Sequence, residues 1–178
     1  WGFEGPTADP EIQSVRARVT RSMLMTLFAS SGTPMLLGGD EFGRSQGGNN
    51  NAYCQDNETS WIDWRMVESP EGEALAAFVA KLVGLRKAHE VLRPKQFLHG
   101  QNEYAPEVLD VDWFDEHGRR IAPADWDNPD GSALAMRRAL PRPDGRIELV
   151  TLLFNASDTA ITFHLPEPVG AARILADS

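Results

Sequence analysis

Residues 35–64 decide how the chain is interpreted, and they read MLLGGDEFGRSQGGNNNAYCQDNETSWIDW. The stretch begins with three apolar residues that do not alternate with polar ones, and glycines follow them. Such a run is typical of a strand buried on both faces, as in parallel sheets. The rest is a long polar loop rich in asparagine, glycine and tryptophan. We therefore expect a short buried strand with a large loop at its carboxyl end.

A helix is predicted before this stretch. Asp9 can cap its first turn, Pro10 suits its first position, and Gly32 is placed to end it. Apolar residues recur between these limits at helical spacing and predict one buried stripe. The stripe consists of Ile12, Val15, Val19, Met23, Leu27 and Phe28.

A second helix is predicted after the loop, with Ser69 as its cap, Pro70 at its start and Pro94 beyond its end. Basic residues near its end, including Arg86, are expected to meet the negative end of its own dipole. The order of helix, strand, loop and helix is that of an α/β unit from a parallel sheet. A single strand forms no sheet, so either its partner strands lie outside this chain or the strand assignment is wrong. The apolar stripe of the second helix consists of Leu75, Phe78, Val79, Leu82 and Leu85.

The sequence changes character from about residue 96. Helical periodicity stops, and segments that favour strands, 145–154 and 159–165, are separated by turn signals at 128–131, 143–145 and 155–158. This pattern predicts an antiparallel β-sandwich or barrel. We place the domain boundary near residues 92–95, which gives a first domain of 1–92 and a second of 93–178.

Composition excludes several classes of function. The 178 residues carry a formal net charge of −9, which repels nucleic acid and anionic membranes. The single cysteine, Cys54, permits neither an internal disulfide nor a cysteine zinc site. We see no signal peptide and no apolar run long enough to cross a bilayer.

The polar loop carries chemistry suited to a neutral ligand rich in hydroxyl groups. Asp40 and Glu41 directly follow the predicted strand, where parallel sheets and barrels build their sites. Amide side chains both donate and accept, and Tyr53, Trp61 and Trp64 offer flat faces for sugar rings. The alternative is structural: amides and glycines form turns, carboxylates cap backbone N–H groups, and tryptophans pack. The residues predicted to bind the ligand are Asp40, Glu41, Asn49, Asn50, Asn51, Tyr53, Gln55, Asp56 and Trp61.

No catalytic, metal or cofactor motif is found. A calcium loop needs glycine at its sixth position, and a loop starting at Asp56 has Trp61 there. Motifs of serine hydrolases, phosphate-binding loops and dinucleotide sites are absent from the sequence. The four histidines are scattered, and Cys54 has no base nearby in sequence. We therefore predict no cofactor and no metal.

Residues 32–64 closely resemble the segment around the last barrel strand of bacterial glycogen debranching enzymes, the isoamylase-like branch of the α-amylase superfamily. The resemblance continues through WGFEGPTADPEI at residues 1–12, VDWFDEHGRRIAPADWDNP at 111–129, LAMRRAL at 134–140 and LLFNAS at 152–157. It covers the whole chain. It implies that residues 1–92 close a (β/α)8 TIM barrel, with residues 35–38 as the eighth strand, and that an incomplete antiparallel β-sandwich follows.

The resemblance also implies an activity. Enzymes of this family hydrolyse α-1,6 branch linkages of glycogen or limit dextrins with retention, using an aspartate nucleophile, a glutamate acid/base and a second aspartate. The motifs that carry these three groups do not occur here and would precede Trp1, so no residue of this chain is assigned a catalytic role. The expected partners are a branched α-glucan and the remainder of the parent enzyme, and the expected location is cytoplasmic.

Two other functions remain open at this stage: a non-catalytic glucan-binding or scaffolding module, and another enzyme of the superfamily such as a trehalose-forming hydrolase. The asparagine-rich run favours debranching over the second. Trp113, Phe114 and Trp126 are expected to pack between the two domains rather than to stack on sugars. An unclosed barrel and an incomplete sandwich would expose apolar faces, so the isolated chain is expected to be poorly stable or self-associated.

Overall fold

The computed structural model describes all residues 1–178, and they form an α+β structure in two compact units. One unit contains residues 1–88 and 175–178, and the other contains residues 89–174. The first unit is helical, and both antiparallel sheets lie in the second. None of the helices is long and apolar enough to span a membrane.

Helix α1, Pro10–Ala29, begins where the sequence predicts. The Asp9 carboxylate accepts hydrogen bonds from the backbone N–H groups of Glu11 at 2.9 Å and Ile12 at 3.3 Å. The helix ends before the predicted Gly32, because Ser30 already has extended backbone angles. The predicted stripe is also shifted, since Met23 is 69% exposed and Leu24 is buried in its place.

Helix α2, Pro70–Ala88, packs on α1. The Ser69 hydroxyl accepts a hydrogen bond from the N–H of Gly72 at 3.0 Å, which is the predicted cap. Gly72 is buried because the carbonyl of Met66 lies against it, where any Cβ atom would overlap. The buried residues shared by the two helices are Leu24, Phe28, Val79 and Leu82.

Arg86 has a different role from the one predicted. It lies in the last turn of α2 as predicted, but its side chain is only 7% exposed and reaches to the end of α1. The guanidinium donates to the carbonyls of Phe28 at 2.6 Å and Ser30 at 2.9 Å, and also to that of Gly32. It therefore satisfies carbonyls at the end of α1, which have no partner within that helix.

The strand predicted at residues 35–38 is not formed. Residues 33–37 have no regular secondary structure, and Met35 and Leu37 are 87% and 61% exposed. A strand needs a neighbour to complete its ladder of hydrogen bonds. The first unit contains no other strand, so the apolar run has no ladder partner, and of its three apolar side chains only Leu36 packs against the helical core.

The second unit contains two antiparallel sheets. Strands β1, Glu103–Ala105, and β2, Val108–Leu109, pair with each other. Strands β3, Val111–Phe114, β4, Ala133–Pro141, and β5, Ile147–Asn155, form a second sheet in the order β3-β4-β5. A small core lies beside this sheet and consists of Val91, Leu92 and Val150, with Leu140 and Leu152 packed against it.

The β4–β5 hairpin follows the predicted turn at residues 143–145. Gly145 has a φ of +80°, which explains the glycine, and the N–H of Arg142 donates to the carbonyl of Arg146 at 2.8 Å. The strand predicted at residues 159–165 is not formed. Ile161 and Phe163 are more buried than their neighbours, but Leu165 is 38% exposed and the backbone lacks a strand partner along this segment.

Candidate functional site

Asp40 and Glu41 are adjacent in sequence but serve different purposes. Both lie in a 3-10 helix, Asp40–Phe42, which begins after Gly39 in the left-handed region at a φ of +99°. The Glu41 carboxylate accepts a hydrogen bond from the N–H of Gly39 at 2.8 Å, so it holds this turn. The Asp40 carboxylate is half-buried and has no hydrogen-bond or ionic partner. Asp40 is therefore the one of the pair that is available to a ligand.

The asparagines of the loop also differ in role: two hold backbone turns, and one has a free side chain. The side-chain oxygen of Asn49 accepts from the N–H of Asn51 at 2.8 Å, and that of Asn51 accepts from the N–H of Tyr53 at 3.1 Å. These are Asx turns, in which an asparagine side chain replaces a backbone acceptor. Asn50 makes no such bond, and its exposed amide retains both its donors and its acceptor.

A short chain of hydrogen bonds closes the loop behind these turns. The Gln55 amide donates to the carbonyl of Asn51 at 3.2 Å. The Ser60 hydroxyl donates to the carbonyl of Gln55, and the Arg44 guanidinium donates to the carbonyl of Ser60 at 3.0 Å. Sequence patterns do not point to Arg44 or Ser60. They support the loop from inside, and nothing in their spacing distinguishes them from ordinary polar residues.

Three aromatic residues of the loop are exposed, and Trp64 is 68% exposed although one side of it meets Phe42. Tyr53 is 83% exposed, and its ring contacts no other aromatic side chain. Trp61 is 58% exposed, and its indole N–H donates to the Asp56 carboxylate at 2.8 Å. Asp56 therefore orients the Trp61 ring. Trp64 packs partly against the buried Phe42, with ring centroids 5.8 Å apart.

The amino-terminal segment lies beside the loop. A Cβ atom built on Gly48 would be 3.6 Å from the Cα of Gly5. Arg16 of α1 fixes this segment, because its guanidinium donates to the carbonyls of Gly5 at 2.8 Å and Phe3 at 2.5 Å. Phe3 and Trp1 are both exposed. Sequence patterns do not predict the approach of Gly5 to Gly48, since the two residues are far apart along the chain.

The electrostatics of the loop offer no acid/base pair and no metal site. The hydrogen bonds that Arg65 donates to Asp63 lower the pKa of that carboxyl, but both groups are exposed. No group of three or more histidine, cysteine, aspartate or glutamate side chains is placed to hold a metal ion. Cys54 is exposed in a turn at a φ of +57°.

The aromatic residues of the second unit have separate roles. Trp113 and Trp126 meet edge to face with ring centroids 5.6 Å apart. Phe114 is buried, and the Arg137 guanidinium lies 4.9 Å from its ring centroid. Burial lowers the pKa of Arg137, whose guanidinium donates to the carbonyls of Glu107 and Glu167, each at 2.6 Å. Phe114 therefore packs, while Trp126 keeps more than half of its surface exposed.

Curated relatives match almost the whole chain. It is 42% identical over 174 residues to proteins named glycogen operon protein GlgX homolog from Mycobacterium tuberculosis and Mycobacterium bovis, covering 93% of this chain and 24% of each relative. It is 39% identical over 166 residues to the glycogen debranching enzyme of Pectobacterium carotovorum, covering 93% of this chain and 22% of that protein. The chain is a homologue of bacterial glycogen debranching enzymes.

The chain thus spans about a quarter of the length of the glycogen debranching enzymes it matches. The resemblance recognised in residues 32–64 is confirmed. A crystal structure of a pullulanase from Anoxybacillus sp. LM18-11 with maltotriose matches at a TM-score of 0.44 and 18% identity, covering 84% of this chain and 22% of the pullulanase. Comparison with models of protein families finds no match.

Proposed function

We propose that this chain is the carboxyl-terminal segment of an enzyme that hydrolyses α-1,6 branch linkages of glycogen or limit dextrins with retention. The observation that carries the proposal is the identity of 39–42% to a debranching enzyme and to GlgX homologues along 93% of the chain. A similarity of this extent supports debranching over a trehalose-forming reaction. The family's three catalytic motifs are not in the chain, so the chain by itself is a binding part of the enzyme.

In this proposal residues 1–92 complete a (β/α)8 barrel and residues 93–178 belong to a β-sandwich. The exposed apolar run at residues 35–38 supports the first part, because Met35 and Leu37 have the composition of a buried strand without the neighbours of one. In the complete barrel the run would pair on both sides. Asp40 would then lie at the carboxyl end of a strand, where barrel enzymes build their sites.

The loop supplies part of the wall of a glucan cleft. Asp40, Asn50, Tyr53 and Trp61 carry free polar groups or exposed rings, and we assign them to contact with the sugar chain. The remaining predicted site residues hold these four in place through the hydrogen bonds described above. These positioning residues are Glu41, Asn49, Asn51, Gln55 and Asp56.

The first test concerns the activity of the complete protein. With a branched dextrin as substrate it should release linear chains, and the isolated 178-residue chain should release no reducing ends. Release of reducing ends by the isolated chain, surviving removal of contaminating enzymes, would overturn the assignment of the catalytic groups. Failure of the complete protein to cleave a branched dextrin would overturn the reaction itself.

The second test concerns the loop. Tyr53→Ala should weaken retardation of the chain by glycogen in a native gel, by about tenfold in apparent affinity, because one exposed ring is removed from the contact. Cys54→Ala is the matched control, since Cys54 is the neighbouring exposed residue of the same turn. Equal retardation of the two variants would contradict the cleft-wall role of Tyr53.

A further inference from the structure

We propose a second sugar-binding site in the sheet-containing unit, a groove that receives a single glucosyl residue of an α-glucan chain. The groove has a volume of about 250 Å³ and lies where residues 90–98 pass over strands β1 and β4. It shares no residue with the loop described above. The choice of an α-glucan rests on the proposed function, whereas the existence of the site rests on the groove.

The floor of the groove is apolar and its rim is aromatic. Val91 and Ala139 are buried at its base, with Leu140 beside them. Phe97 and Tyr104 also line the groove, and they are 85% and 36% exposed. An apolar floor with exposed rings matches the carbon-bound faces of a sugar ring, which are the apolar part of an otherwise hydroxylated molecule.

Hydrogen-bonding groups without a protein partner lie on the same groove. The Gln96 amide and the Tyr104 hydroxyl form no hydrogen bond within the protein. The Asn102 side chain donates to the Asp110 carboxylate at 3.2 Å, which leaves the Asn102 oxygen as an acceptor. Together these groups both donate and accept, as hydroxyl groups require.

The charged groups of the groove already have ionic or hydrogen-bond partners, which favours a neutral ligand. The Glu90 carboxylate lies 3.5 Å from the Lys95 ammonium and 3.2 Å from the Arg142 guanidinium. Asp110 is fully buried and accepts from the N–H groups of Gly100 and Val111, each at 2.9 Å. An anionic ligand would have to compete with Glu90 for these cations.

The size of the groove limits the ligand. Typical small-molecule pockets hold roughly 300–1,000 Å³. The groove is slightly smaller, so it fits one sugar ring and not a folded oligosaccharide. A groove of this kind would hold an outer chain of a branched glucan at one point, while the loop of the other unit contacts the glucan separately.

The chain contains only two tyrosines, so ligand binding at both sites can be followed in one experiment. Tyr53 reports on the loop and Tyr104 on the groove. The 178-residue chain is labelled with fluorotyrosine, the two fluorine resonances are assigned with Tyr53→Phe and Tyr104→Phe, and maltoheptaose is added. We expect the Tyr104 resonance to shift in a saturable way, and sorbitol at matched hydroxyl concentration to leave it unchanged.

The decisive variant is Phe97→Ala. It should raise the dissociation constant for maltoheptaose, measured from the Tyr104 resonance, by about tenfold. It should leave the response of Tyr53 unchanged. Ile174→Ala is the matched control, because Ile174 is an exposed apolar residue of the same unit outside the groove.

The outcomes separate the two proposals. A Tyr104 resonance that does not respond to maltoheptaose, or an equal loss in Ile174→Ala and Phe97→Ala, overturns the groove proposal whatever Tyr53 does. A responding Tyr104 with an unresponsive Tyr53 supports the groove and contradicts the proposed role of the loop.

Discussion

Single residues in this chain show that adjacent polar groups need not share a function. Glu41 closes a backbone turn while Asp40 keeps a free carboxylate, and Asn49 and Asn51 form turns on either side of the free Asn50. The structural interpretation therefore holds for Glu41, Asn49 and Asn51, while binding by Asp40 and Asn50 stays a prediction. Residue type alone could not separate them, because the difference lies in which backbone N–H each side chain reaches.

Arg86 gives a prediction at this scale. Arg86→Met keeps much of the side-chain volume but leaves carbonyls of Phe28 and Ser30 without their buried donor. We expect the free energy of unfolding to fall by about 2–4 kcal/mol, measured by urea denaturation. Lys81→Met, at an exposed position of the same helix, is the control. A loss no larger than that of the control would mean that the carbonyls find other partners.

At the scale of elements, the turn that follows β3 is stabilised by a carboxylate. Burial alone would raise the pKa of Asp115, but hydrogen bonds from the backbone and side chain of Arg119 and from the N–H of His117 outweigh it and lower the pKa. A carboxyl whose pKa is lower in the folded state stabilises the fold above its unfolded pKa of about 4. This contribution disappears as the pH falls through the folded value.

The test compares Asp115→Asn with the parent chain from pH 6 downward. The parent should be more stable near neutral pH, and its advantage should shrink as the pH falls below about 4. Urea denaturation at each pH gives the free energies of unfolding. Asp158→Asn, which alters an exposed carboxylate without a hydrogen bond, should show a much smaller change. If the free energies of unfolding of the parent and of Asp115→Asn fell equally with pH, the stabilising role of the Asp115 carboxylate would be refuted.

Sequence patterns predicted the elements whose signals are local. The caps at Asp9 and Ser69 and the turn at residues 143–145 are confirmed because each depends on a few neighbouring residues. The strand at residues 35–38 was predicted from apolarity, but strand formation depends on a partner that this chain does not supply. The groove beside Phe97 could not be predicted either, since residues 90–98 and β4 meet only in the fold.

At the scale of the whole molecule, the exposed run at residues 35–38 should govern self-association. Met35→Lys combined with Leu37→Lys should change the free energy of unfolding by no more than about 0.5 kcal/mol, because both side chains are exposed. The same change should weaken self-association measured by sedimentation velocity. Ile174→Lys serves as the control. Unchanged association of the double variant would show that another surface is responsible.

Two contacts hold the ends of the segment between α1 and α2: the hydrogen bonds from Arg86 to carbonyls at the end of α1, and the contact between Gly72 and Met66. Arg86 anchors the chain as it leaves α1, and Gly72 anchors it as it enters α2. The intervening segment is thus attached at both ends to the helix pair, and its Leu36 packs against the core that the two helices share. Loops from relatives should therefore be graftable between these two anchors when Leu36 and the buried Phe42 are kept, since these side chains tie the segment to the helices.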